Sequence, residues 1–230
     1  MSSAPVHRFG LGAAAVTASL AVAGALLVGP ADGQAVGARS SGAEQSQVTT
    51  GRGLALHDHM RKLWEDHVAW TRMAIVTFAD GSAGFGATAR RLLRNQEDIG
   101  TTFGRFYGTT RGDRLASLLH DHITIAVELL QAAKAGDQAA VADASDRWYA
   151  NARAIADFLS RLNRHAWPRH EMRSMMKTHL DQTLAEAVDE LTGHFHRGVR
   201  EYGAIERHIL EMADTLSSGI ESQFPRRFAR

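Results

Sequence analysis

The chain contains no cysteine, which excludes disulfide bonds and thiolate metal ligands. It contains only four prolines, and after Leu54 only Pro168 and Pro225 occur. The alternation of β-branched and polar residues that marks half-buried strands is also missing. A protein with these absences must be held together by its apolar core, and long stretches without proline favour helices.

Neither sign of charge dominates. The net charge is +1, so there is no strong basic field that would indicate a nucleic-acid partner. Phosphate-binding glycine loops, nucleophile elbows and nucleic-acid-binding motifs are absent, and no nucleotide partner is expected. Hydrophobic residues make up 44% and charged residues 22%, which is typical of a folded globular domain.

The N-terminus resembles a signal peptide covering residues 1–35. An uncharged apolar run from Leu11 to Val28 is followed by small residues that suit cleavage after Ala35 or Ala38. We therefore expect an exported protein, secreted or held in the cell envelope, which touches a membrane only if its leader stays uncleaved. The domain boundaries that follow are a flexible linker at 36–52, a helical domain at 53–222 and a frayed basic tail at 223–230.

Apolar residues spaced by three and four predict six helices in the folded part. Gly136 is expected to end the third helix with a left-handed cap, and Pro168 suits the first turn of the fifth. The string GTTRGD is expected to form a turn, with Asp113 capping the third helix. The predicted helices cover about 54–79, 87–107, 113–135, 137–163, 168–191 and 194–220.

Three histidines occupy core positions of the odd-numbered predicted helices, at a period of about 56 residues. They are His67, His122 and His179. A second set in the even-numbered helices, Asn95, Asn151 and His208, recurs at the same period. Because both sets of residues recur with the same period, they predict three similar helical hairpins. We expect an all-α six-helix bundle built from these hairpin repeats, with a short solenoid as the alternative.

Imidazoles on three equivalent helices predict a metal site if those helices line a common axis. Three imidazoles with one open position are typical of zinc, and nitrogen donors also suit copper, nickel or iron. The predicted ligands are the three core histidines, with His208 as a fourth ligand or neighbour. Asn95, Gln96 and Asn151 are expected to orient the rings by hydrogen bonding. An open position would allow catalysis, but no catalytic residue follows from the sequence.

The alternative hypothesis is a non-enzymatic structural or interaction module of the cell envelope. In that case each imidazole is satisfied inside the core, because burying it unpaired costs about 1–3 kcal/mol. Geometry separates the two hypotheses, since ring nitrogens more than about 6 Å apart cannot share one ion. The sequence identifies no protein partner.

Four strings resemble a family of small exported bacterial helical proteins without an established function. They are LWEDHVAWTR, RLLRNQEDIG with FYG, RWYANARAIADFL and ILEMADTLSSGI. The resemblance extends from Leu63 to Pro225 and implies an all-α domain, without assigning a catalytic residue. Some members are described as glycosyltransferases. This chain lacks both the strand–helix alternation of a nucleotide-sugar fold and an Asp-x-Asp motif.

Overall fold

The computed structural model describes residues 50–229, and every regular element in that part of the chain is helical. The prediction of an all-α domain is confirmed. No helix in the described range combines the length and apolarity needed to cross a bilayer. The predicted signal peptide and most of the predicted linker lie outside the described residues. The helices are α1 (Gly51–Ala79), α2 (Phe85–Tyr107), α3 (Thr109–Ala135), α4 (Gln138–Leu162), α5 (Arg169–Leu191), α6 (Phe195–Gln223) and α7 (Pro225–Phe228).

The six long helices pack in chain order, and α6 packs back against α1. These two helices are antiparallel, because Arg61 binds Asp214 in the second half of α6, whereas Arg72, further along α1, approaches the Gly198 carbonyl near the start of α6. Each long helix turns an apolar stripe inwards, as the spacing predicts. Side chains with no exposed surface come from all six helices: Met60, Ile99, Leu115, Ile155, Leu180 and Ile209.

The turn predicted before Asp113 is wrong, because α3 already begins at Thr109. The chain reverses at Gly108 alone, whose φ of 90° suits glycine. Just beyond this reversal α2 and α3 touch through their backbones. A Cβ atom on Gly112 would lie 2.5 Å from the carbonyl oxygen of Gly100. The absence of side chains therefore allows the two helices to approach closely, and Asp113 lies inside α3 rather than capping it.

Other helix ends follow the local sequence. Gly136 ends α3 in the left-handed conformation with φ 73°, which confirms the predicted cap. The Asp137 carboxylate then accepts from the Ala140 amide at 3.0 Å and caps α4. Pro168 directly precedes α5. These local signals place the ends of α3, α4 and α5 within a few residues of the predicted ones.

The basic tail differs from the prediction that it is frayed. Residues Pro225–Phe228 form α7, and the Phe228 side chain is only 6% exposed. Its ring lies 5.8 Å from that of Phe106, centroid to centroid, with the planes nearly parallel. The Arg227 guanidinium donates to the carbonyl of Arg105 at 2.6 Å. Aromatic packing and a hydrogen bond from a charged group thus hold the tail against α2.

Candidate functional site

The structure brings His67, His122 and His179 together at the centre of the domain. They come from α1, α3 and α5, and each is 3% exposed. The ring of His179 contacts both others, with centroid distances of 5.7 Å to His67 and 6.4 Å to His122. The apolar spacing of each helix places its histidine in the core stripe, and the packing of the helices then brings the stripes together. We call these residues the histidine cluster.

Amide side chains of the following helix bind two of the rings. The Asn151 Oδ1 atom accepts from His122 Nδ1 at 3.0 Å, since the Asn151 amide nitrogen already donates to the Leu118 carbonyl. Gln96 Nε2 contacts His67 Nδ1 at 3.2 Å and also donates to the Leu92 carbonyl. Because that nitrogen is the donor, His67 accepts at Nδ1 and carries its proton on Nε2.

The third ring has no such amide partner. His179 Nδ1 is buried and has no hydrogen-bond partner among the described residues. His208, the predicted fourth member, does not bind the cluster. Its Nε2 atom donates to the Met175 carbonyl of α5 at 2.9 Å. His208 therefore connects the backbone of α5 to α6.

One hydrogen bond recurs between α1 and α2, between α3 and α4, and between α5 and α6. Asn95 Nδ2 donates to the Leu63 carbonyl at 3.0 Å, and Asn151 Nδ2 donates to the Leu118 carbonyl at 3.0 Å. The bond from His208 to Met175 is the third of this kind. In every case the accepting carbonyl lies one helical turn before a histidine of the cluster. The same backbone position is thus bound in α1, α3 and α5.

Burial lowers the pKa of every ring in the cluster. The pKa of His67 falls to about 3, mainly by desolvation and further by repulsion from His122. Desolvation lowers the pKa of His122 to about 4, and the hydrogen bond to Asn151 opposes this shift. Desolvation, followed by repulsion from His67, His122 and His208, holds the pKa of His179 well below its usual range. All three imidazoles are neutral near pH 7.

The predicted metal site is wrong. Within residues 50–229, no group of three or more histidine, aspartate or glutamate side chains is arranged to hold a metal ion. Ring orientation gives the reason, because imidazole lone pairs lie in the ring plane. His122 and His179 are stacked with their planes 28° apart, and the acceptor nitrogen of His67 is already bound by Gln96. Zinc, copper, iron and nickel are therefore not assigned to this cluster.

Tryptophan rings cover the cluster. Trp148 lies nearly parallel to His122 at 5.3 Å between centroids, and Trp64 meets His67 edge-on at 5.7 Å. Both tryptophans are 3% exposed. Such contacts add to area burial and hold the imidazole planes in place. The cluster is consequently an internal, aromatic-packed part of the core.

A buried ionic group that was not predicted from the sequence joins α1 to α5. The Arg72 guanidinium donates to Glu186 at 2.6 Å and to Glu190 at 2.9 Å. Burial raises the pKa of Glu186 to about 7, against the lowering effect of Arg72 and with smaller increases from Glu190 and Glu201. The sequence contains a signal for their burial, because Glu186 and Glu190 continue the inward-facing stripe of α5 beyond Thr183. We call Arg72, Glu186 and Glu190 the buried ion network.

A cleft of about 370 Å³ lies away from both groups, lined by residues 107–111 at the α2–α3 reversal. No protein-family model matches this chain, and neither curated proteins nor solved structures show significant similarity to it. The family resemblance noted in the sequence therefore stays a prediction.

Proposed function

We propose that the helical domain is a non-enzymatic structural or interaction module of the cell envelope, exported by its N-terminal leader. The observation that carries this proposal is the use of the buried histidines. Neutral rings of His67 and His122 bind amides of the neighbouring helix, and His208 binds a backbone carbonyl. Imidazoles committed to internal hydrogen bonds act as helix connectors, which suits a rigid scaffold.

We also propose that the six long helices are three hairpin repeats closed into a bundle. The three equivalent hydrogen bonds from Asn95, Asn151 and His208 support this reading, as does the packing of α6 against α1. In the third hairpin an imidazole replaces the amide but donates to the same backbone position. A repeated unit that keeps the same contact while its side chain changes is expected of diverged repeats.

Export is tested by producing the full chain with a C-terminal tag in bacteria. The protein should be recovered outside the cytoplasm, with its N-terminus near Val36 if the leader is cleaved. The control is the double variant Leu20→Arg/Leu26→Arg, whose charges break the apolar run and should retain the chain in the cytoplasm. Wild-type protein that stays in the cytoplasm contradicts the proposal.

A second experiment tests the structural role of the histidines. His122→Ala should lower the melting temperature by several degrees, because a cavity and an unpaired Asn151 carbonyl replace a packed, bonded ring. The control is His170→Ala, since the His170 side chain is 83% exposed. A chelator should alter neither wild type nor variant. Loss of stability on chelation in wild type, but not in His122→Ala, would overturn the structural assignment.

A further inference from the structure

One end of the bundle is rich in arginine. Side chains join the helix ends there, since the Tyr107 hydroxyl binds Gln223 at 2.7 Å and Gln223 donates to the Leu162 carbonyl at 3.0 Å. The α2–α3 reversal, the end of α4 and the start of α7 thus lie at this end, and so does the start of α1, where Arg52 donates to the Arg227 carbonyl. Six of the exposed arginines at this end form no salt bridge with another described residue and define the surface: Arg52, Arg105, Arg111, Arg161, Arg164 and Arg226. We call this surface the arginine face.

The guanidinium groups of this face are not neutralised by carboxylates. None of the six forms an ion pair with another described residue, and Arg52 and Arg111 donate only to backbone carbonyls. Nearby, by contrast, Asp157 is fully engaged by Arg169 and Arg173. The arginine face therefore presents positive charge that is free to bind an external anion.

The few other carboxylates at this end do not cancel the charge. Asp113 and Glu171 are exposed, and Glu221 is half-buried beside Gly53. The whole chain carries a net charge of only +1, so acidic residues prevail elsewhere. Charge is therefore distributed unevenly over the domain, and the arginine face is its positive end.

The chain enters the domain on the same face. The first residue of α1, Gly51, lies next to Arg52, and the Leu54 side chain is 52% exposed nearby. In the sequence the uncharged apolar run Leu11–Val28 precedes this point by only about twenty residues. While the leader is attached, its insertion into a bilayer keeps the arginine face within reach of that bilayer, which favours a membrane over a soluble partner.

We propose that the arginine face docks the domain on an anionic membrane surface. Planar guanidinium groups bind phosphate oxygens in pairs, and basic residues near anionic lipid add their attractions. Leu54 supplies an apolar contact at the level of the headgroups. The choice of a membrane rests on the proposed envelope function. Binding itself is measured in solution, so that its failure and a failure of export are distinguishable.

The experiment is flotation of the full chain with two kinds of vesicle. One is phosphatidylcholine alone, which reports any binding by the leader, and the other is phosphatidylcholine mixed with phosphatidylglycerol. Binding should be stronger to the anionic vesicles and should weaken as salt is added. The variant Arg105→Gln/Arg111→Gln/Arg161→Gln/Arg164→Gln should lose this difference, with affinity reduced more than about tenfold.

The matched control removes the same charge from other parts of the surface. It is Arg90→Gln/Arg94→Gln/Arg153→Gln/Arg207→Gln, four exposed arginines outside the arginine face. This control should bind like wild type. Equal weakening of both variants, or equal binding of wild type to neutral and anionic vesicles, overturns the proposal.

Two further measurements keep the test decisive. Replacing the same four arginines of the arginine face by lysine preserves charge and should preserve most of the binding, which covers the case in which the glutamine variant unfolds. Soluble polyphosphate should compete only weakly. If it binds the wild-type protein as tightly as the anionic vesicles do, the partner is a soluble polyanion and the membrane assignment is wrong.

Discussion

Single residues of the histidine cluster make the fold sensitive to acid. The folded-state pKa values of His67 and His122, about 3 and about 4, lie below the ordinary value of 6.5. The unfolded chain therefore binds protons more readily than the folded one. The stability linked to these rings is fully present above about pH 6.5 and is lost as the pH falls towards the folded-state values.

We expect the free energy of unfolding to fall by on the order of 5 kcal/mol between pH 7 and pH 4.5. Glu186 opposes this loss, because its folded-state pKa of about 7 exceeds the ordinary 4.5 and favours the folded state in acid. The free energy lost by protonating three buried histidines exceeds the free energy gained by protonating one carboxyl group, so stability should still decrease. Urea unfolding followed by circular dichroism at several pH values measures the change.

Variants show which residues cause this pH dependence. His67→Gln should be less stable at pH 7 yet lose less stability on acidification, because one titrating ring is gone. His170→Gln removes an exposed ring and should leave the slope unchanged. An unfolding free energy that stays constant between pH 7 and pH 4.5 would contradict the buried, neutral state of the cluster.

Asn151 is expected to be sensitive to substitution, because it binds both the His122 ring and the Leu118 carbonyl. Asn151→Ala leaves the buried Nδ1–H of His122 unpaired and should cost about 2–4 kcal/mol, measured by urea unfolding at pH 7. Gln131→Ala, on the exposed side of α3, is the control and should change stability little. Equal effects of the two substitutions would show that the His122 bond contributes nothing.

The sequence identified the candidate histidines, whereas neither their convergence nor their chemistry followed from it. The inward stripes place His67, His122 and His179 on the core side of their helices, and only the structure shows that the rings meet. The direction of each ring depends on which atom Gln96 or Asn151 presents, and that is set by their other hydrogen bonds. A spacing pattern contains no information on those choices, so the metal prediction failed at this step.

At the scale of helices, the local signals succeed where the ends depend on local contacts. Gly136 and Asp137 predict the α3–α4 connection because each acts within its own turn. The α2–α3 connection was misplaced because Gly112 resembles a turn residue. Its role is a contact with Gly100 of another helix, which local sequence does not reveal. The tail was misjudged for the same reason, since Phe228 is held by α2.

The glycine contact between α2 and α3 gives a sharp prediction. Gly112→Ala places a methyl group 2.5 Å from the Gly100 carbonyl oxygen, so the helices must separate, at a cost of about 1–3 kcal/mol or more. Gly203→Ala is the control, because its nearest neighbour is a flexible arginine atom at 3.8 Å. It should stabilise α6 by up to about 1 kcal/mol. Thermal unfolding compares the two, and an unchanged melting temperature for Gly112→Ala would refute the close contact.

For the molecule as a whole, the buried ion network connects parts that are distant in sequence. Arg72 on α1 binds Glu186 and Glu190 on α5, and it also approaches the carbonyl of Gly198 on α6. The side chains of the two carboxylates are only 2% and 4% exposed, so water stabilises their negative charge poorly. The network thereby helps to close the last helices onto the first, at the price of burying charge.

Removing Arg72 should test this closure directly. At pH 8 Arg72→Leu leaves two buried carboxylates without a cation and should cost about 3–5 kcal/mol. At pH 5 the loss should be smaller, because Glu186 has a raised pKa and takes up a proton in the folded state. The double variant Arg72→Leu/Glu186→Gln should recover part of the stability at pH 8.

The control is Arg147→Leu, which breaks an exposed pair with Glu128 and Asp143 and should have little effect at either pH. If Arg72→Leu cost the same at pH 8 and pH 5, the penalty would come from lost packing instead of uncompensated charge, and closure of the bundle would not depend on the buried ion network.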